Sequence, residues 1–163
     1  MTSDEEITRE KAMVYFEQAY RKQMDGEFGD AIVLYKRSIA TYPTAEAYTF
    51  LGWTYSQIER IDEAIAMCHQ AIETDPSYGN PYNDIGAYLI DQEKWAEAIP
   101  WLKKATKAPR YETRQFPYMN LGRAYQNLGQ YETAKQHFEQ ALVEEPFYLP
   151  AHWALTALLA KMN

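Results

Sequence analysis

Apolar and small residues recur along this chain at helical spacing, most cleanly from Ala45 to Tyr78. There Tyr48, Leu51, Gly52 and Tyr55 stand three, one and three residues apart, and Ala64, Cys68 and Ala71 stand four and three apart. Each set is one face of a helix. Between them Gln57 to Asp62 is polar except for Ile58 and Ile61, which reads as a turn, and Pro76 closes the stretch. The pattern predicts two antiparallel helices with facing apolar sides. It also returns: Gly52 to Gly86 and Ala64 to Ala98 are each separated by 34 residues, and a fixed period of that length signals a repeat array.

The recurring residues resemble the tetratricopeptide repeat, whose pattern is W-x2-L-G-x2-Y, then A-x3-F, then P, at a 34-residue period. In the second unit the match is Tyr48, Leu51-Gly52, Tyr55, Ala64, Cys68 in the Phe slot, and Pro76. The fourth has Tyr118, Leu121-Gly122, Tyr125, Ala134, Phe138, Ala141 and Pro146; the third has Tyr82, Ile85-Gly86, Leu89, Ala98, Leu102 and Ala105, with Pro109 one place early. The first departs most, with Tyr15, Gln18-Ala19, Lys22, Ala31, Tyr35, Ser38 and Pro43. The resemblance implies an all-α superhelix of four helix-turn-helix repeats with a C-terminal capping helix. Its segments are 1–11 as lead-in and start of the first helix, then repeats at 12–44, 45–78, 79–114 (with a longer loop) and 115–148, and the cap at 149–163.

Local signals fill in the elements. Ser3 with Glu6 has the form of a capping box, so a first helix is expected from Asp4 to about Met24, broken by Asp25-Gly26. Phe28 opens the next helix, and Ile61, Trp95 and Tyr131 are its large equivalents. Glycine inside a helix costs about 0.5–1 kcal/mol against alanine. Gly52, Gly86 and Gly122 are therefore expected where two helix backbones approach closely, with Ala64, Ala98 and Ala134 as small partners. Pro43, Pro76 and Pro146 end second helices. Ala98 to Ala134 is 36 residues, and the excess falls in 107–114, a loop expected to project or to reset the array.

Composition narrows the function. A net charge of −7 argues against a nucleic-acid backbone as main partner, because phosphate binding needs clustered Lys and Arg. One cysteine forms no intrachain disulfide, the start MTSDEEITRE lacks the form of a signal peptide, and no apolar run approaches the roughly 18 residues of a membrane span. The expectation is a cytoplasmic protein bound to neither membrane nor nucleic acid.

Catalysis finds little support. His69, His137 and His152 have no metal-ligand spacing, Cys68 sits in a core slot, and there is no phosphate loop, nucleophile elbow or dinucleotide loop. No enzyme, metal or cofactor is expected. Binding residues are sought instead on the first helix of each repeat, at positions 2, 5, 9 and 12, a face offset from the packing face. The resemblance implies that this face lines a groove. It reads Met13, Phe16, Tyr20 and Gln23; Glu46, Thr49, Trp53 and Ser56; Asn80, Asn83, Ala87 and Ile90; Phe116, Met119, Arg123 and Gln126. Phe16, Tyr20, Trp53, Asn80, Asn83, Phe116 and Arg123 are the candidates, aromatics for contact area and amides for a peptide backbone. The Lys/Asn/Arg clamp with which chaperone-binding members hold a carboxylate is absent, with Asp84 where the Asn would lie. Lys103, Lys104, Lys107, Arg110 and Arg114 form a basic cluster, read as a solvated helix face before a docking patch. The expected function is a protein-binding adaptor or assembly factor. Its alternative is a homodimeric scaffold joined through an apolar strip of Trp153, Leu155, Leu158, Leu159 and Met162.

Overall fold

The computed structural model describes residues 1–163. It is all-α, with nine helices and no strand ladder: α1 (Ser3–Met24), α2 (Phe28–Thr41), α3 (Ala45–Gln57), α4 (Ile61–Thr74), α5 (Asn80–Asp91), α6 (Trp95–Lys107), α7 (Gln115–Asn127), α8 (Tyr131–Glu144) and α9 (Leu149–Met162). Two compact units divide the chain, Met1–Tyr78 with α1 to α4 and Gly79–Asn163 with α5 to α9. The first eight helices pair as hairpins, and α9 packs on α8.

The hairpins share one turn. Gly26, Glu59, Glu93 and Gly129 occupy the same place in their turns, and all four have φ between 60° and 78°. That left-handed conformation lets the very next residue bond back to the helix: Glu27, Arg60, Lys94 and Gln130 donate their N–H to the carbonyls of Lys22, Tyr55, Leu89 and Tyr125 at 2.8–2.9 Å. Carbonyls otherwise orphaned at the helix end are satisfied this way. Phe28, Ile61, Trp95 and Tyr131 open the second helices, as the sequence suggests.

Two expectations about the chain's details change. The N-terminal capping box lies one residue earlier: Thr2 Oγ1 accepts from Glu5 N–H at 3.2 Å, Glu5 Oε2 accepts from Thr2 N–H at 2.9 Å, and α1 starts at Ser3. The helical glycines also make room for something other than the expected alanines. A Cβ on Gly86 would overlap the Leu102 side chain, and one on Gly122 would overlap the Phe138 ring. Only at Gly52, opposite the small Cys68, does backbone come close, with Ala64 O 2.9 Å from where a Cβ would sit. The glycine thus accommodates the large residue of the Phe slot, and where that residue is small the helices close up instead.

In the first unit two buried polar groups, Tyr35 and Gln23, form a chain that ends at the exposed Gln57. Tyr35 OH donates to Gln23 Oε1 at 2.7 Å, and Gln23 Nε2 donates to Gln57 Oε1 at 2.6 Å. Gln23, expected on the binding face, is buried, because its amide is satisfied there. Burial pushes the Tyr35 hydroxyl far above its ordinary pKa, so it stays a donor.

In the second unit the 108–114 loop folds back rather than projecting. Tyr111 is buried against Ala105 and Ala108 with Tyr82 beside them, and its ring fills the space a Cβ on Gly79 would take. Gly79 N–H donates to Arg110 O at 3.0 Å. Arg114 donates from both terminal nitrogens to Thr106 O (3.0 Å) and Ala108 O (2.9 Å), closing the end of α6. At the C-terminal end Leu158 joins Ala134 and Phe138 in the core. It therefore does not belong to the apolar strip expected on α9, where Trp153, Leu159 and Met162 remain exposed.

Candidate functional site

In the first unit α1 and α3 approach each other, and their free faces carry aromatic side chains. Phe50 is the hub. Its ring lies edge-on to Phe16 (centroids 5.2 Å apart), Tyr20 (5.9 Å) and Trp53 (5.8 Å). Phe16 also meets Tyr35 of α2 edge-on at 5.5 Å. Tyr20 and Trp53 remain 42% and 38% exposed, so the cluster is rooted in the core at one side and open at the other. Residues 3–24 are a single helix, and no separate leading segment folds over Phe16 and Tyr20. The sequence pattern brings Phe16, Tyr20 and Trp53 to this face but misses Phe50, having offered Thr49 in its stead. Thr49 is buried, its hydroxyl donating to Ala45 O of its own helix at 2.7 Å.

A cavity of about 380 Å³ opens beside the cluster, between the middle of α1 and the start of α3, with Ser38 of α2 in its wall. Ala12, Met13 and Phe16 give it apolar walls, and Arg9, Glu17 and Glu46 bring charge to it.

In the second unit α5 and α7 are joined by side-chain amides. Asn120 Nδ2 donates to Asn83 Oδ1 at 3.1 Å, and Arg123 Nη1 donates to Asn120 Oδ1 at 3.2 Å. Asn83 is buried and Arg123 exposed, so the network runs from the interior to the surface with Asn120 between them. Asn83 was expected to offer its amide to a ligand. Here its carbonyl oxygen is held by Asn120, a residue the sequence pattern passed over, and the exposed end of the network is the Arg123 guanidinium. Asp84 follows Asn83 on α5 and is half-buried. Desolvation pushes its carboxyl up to about 7, partly offset by a side-chain hydrogen bond with Asn83. Asn80 is half-buried; Phe116 is exposed and edge-on to Tyr148 at 5.7 Å. Burial raises the Tyr148 pKa, and the nearby Arg123 charge opposes the rise. Phe116, Arg123 and Tyr148 thus gather at one place, to which Tyr148 was a further unforeseen contributor.

The remaining candidates have structural surroundings. His137 Nδ1 donates to Thr133 O at 2.8 Å, with its ring stacked on Tyr125 at 5.1 Å, and His152 Nε2 donates to Pro146 O at 2.8 Å. No three His, Cys, Asp or Glu side chains lie close enough together to hold a metal ion. In the basic cluster Arg114 closes α6, and Lys104 Nζ sits 4.6 Å over the Trp101 ring. No helix is long and apolar enough to cross a membrane.

The family model for the tetratricopeptide repeat matches residues 45–78 and 117–148. Among curated proteins, the TPR repeat-containing protein YpiA of Bacillus subtilis (strain 168) is 26% identical over 136 residues, which is 83% of this chain and 32% of YpiA. The chain therefore spans about a third of that relative's length. Among solved structures, that of pilF from Pseudomonas aeruginosa superposes with a TM-score of 0.87 at 22% identity, covering 94% of this chain and 70% of that one. YrrB, described as a TPR protein with an unusual peptide-binding site, superposes at 0.69 with 22% identity over 93% of this chain and 77% of its own. At such identities the likeness is one of fold.

Proposed function

Since the chain is a tetratricopeptide-repeat protein, and that fold serves protein–protein interaction rather than catalysis, we propose that it is a non-enzymatic adaptor. It acts in the cytoplasm and binds a peptide segment of another protein along the free faces of the first helices of its repeats. The observation that carries this reading is the open aromatic cluster of Phe16, Tyr20, Phe50 and Trp53. Such rings contribute large contact area for little rotamer entropy, and interface energy concentrates in a few anchors of that kind. In the other unit, Phe116 with Tyr148, and Arg123 at the end of its amide network, give that unit an exposed aromatic and a positive group of its own. YrrB's description as a protein with a peptide-binding site is in keeping with this use of the fold.

Trp53→Ala tests the reading. Its ring is exposed at the rim, so removing it should weaken capture of the native partner at least about tenfold while shifting the melting temperature little. Equal capture by both proteins, or unfolding of the variant, would end the assignment. A second reading is favoured by one observation: Phe147 and Trp153 are 88% and 67% exposed near and on α9, an apolar surface that suits a second copy. Light scattering of the wild type separates the two, since self-association raises its mass with concentration and without any ligand.

A further inference from the structure

The cavity between α1 and α3 has a chemistry of its own. Its volume of about 380 Å³ equals that of about a dozen waters at ~30 Å³ each, enough for an aliphatic side chain together with its backbone. The two uncharged polar groups among its walls are already engaged, because Ser38 Oγ donates to Ala12 O at 2.7 Å and Thr44 Oγ1 accepts from Ala47 N–H at 3.1 Å. Ala12, Met13 and Phe16 therefore face an occupant with carbon. Its charged lining residues are one base, Arg9, and two acids, Glu17 and Glu46. Arg9 and Glu17 lie eight residues apart on α1, about 12 Å along the axis at 1.5 Å per residue, so one residue of a ligand does not meet both. One turn beyond Glu17 stands the exposed Tyr20, with Trp53 in the same cluster, and aromatic faces attract cations.

The charge of the chain points the same way. Of its 23 acidic and 16 basic residues, 14 acidic and seven basic fall in Met1–Tyr78 and nine of each in Gly79–Asn163. The whole net charge of −7 therefore belongs to the unit that holds the cavity, and a field of that sign draws basic segments to it.

We propose that this cavity is a specificity pocket for an aliphatic side chain of a partner segment, with a neighbouring lysine or arginine directed along α1 onto Glu17 and the Tyr20–Trp53 rings. This rests on the peptide-binding reading and deepens it by naming the ligand's chemistry. Arg9 sets the direction, since it repels a base placed at the other end.

The test is selection of a random peptide library on the full chain, followed by binding of the selected peptides to Glu17→Lys, Met13→Lys and Trp53→Ala. Glu17 and Met13 are exposed, so the first two variants should melt like the wild type. The selected peptides should share an aliphatic residue with a Lys or Arg a few positions away. They should bind Glu17→Lys at least about fivefold more weakly, and regain affinity for it when their own base is replaced by Glu. Selection of acidic peptides, or of none, would overturn the proposal. Peptides lost on Trp53→Ala but indifferent to Glu17→Lys and Met13→Lys would overturn it while leaving the peptide-binding reading intact. Peptides indifferent to all three would remove both.

Discussion

Asp84 holds its proton to about pH 7, well above the 3.8 of an ordinary aspartate, and the consequence for stability has a definite sign. Between those two values the folded chain binds more protons than the unfolded one, so stability falls as pH rises through the window and levels off above it. Moving the pKa from 3.8 to about 7 sets a ceiling of about 4 kcal/mol on the loss. Asp84→Asn keeps the shape without the charge. It should melt higher than the wild type at pH 8, and the gap should shrink towards pH 5; parallel melting curves at both values would show that the carboxyl is solvated. A second residue-scale strain lies at Glu59 and Glu93, where side chains occupy the left-handed conformation that glycine adopts at Gly26 and Gly129. An L-residue there costs roughly 1–2 kcal/mol. Glu93→Gly should recover part of that and raise the thermal midpoint by a few degrees, unlike the usual effect of adding glycine.

At the scale of the helix, the starts of the second helices were legible because one large apolar residue follows each polar turn, and Phe28, Ile61, Trp95 and Tyr131 mark them without ambiguity. The packing faces were equally plain. The binding face was legible only in part, because a spacing rule assigns sides and cannot see how a polar group is satisfied. Thr49 and Gln23 look exposed by type, yet one bonds its own helix and the other joins Tyr35 and Gln57. Phe50 looks like core by type, yet it lies at the root of the open cluster. Projection of the 107–114 loop, one of its two expected outcomes, fails for a related reason. The loop's two extra residues break the period, and the contact that folds it back, between Tyr111 and Gly79, pairs two residues that hold no place in the repeat pattern.

Across the whole molecule, the acidic first unit and the neutral second one differ in what they offer a partner, and Cys68 lies in the first, fully enclosed in the Phe slot opposite Gly52. That enclosure turns the only thiol of the chain into a clock. A thiol reagent reaches Cys68 only when α3 and α4 part, so the rate at which the native protein is labelled equals the rate for an open thiol multiplied by the fraction of time the hairpin is open. Labelling should run at least about a thousandfold slower than in denaturant. Its dependence on denaturant should be shallower than that of complete unfolding, because less surface is uncovered. A ligand seated on α1 and α3 would slow the clock in proportion to its occupancy, so binding becomes readable as a reaction time, without a label on the partner and before the partner has been identified.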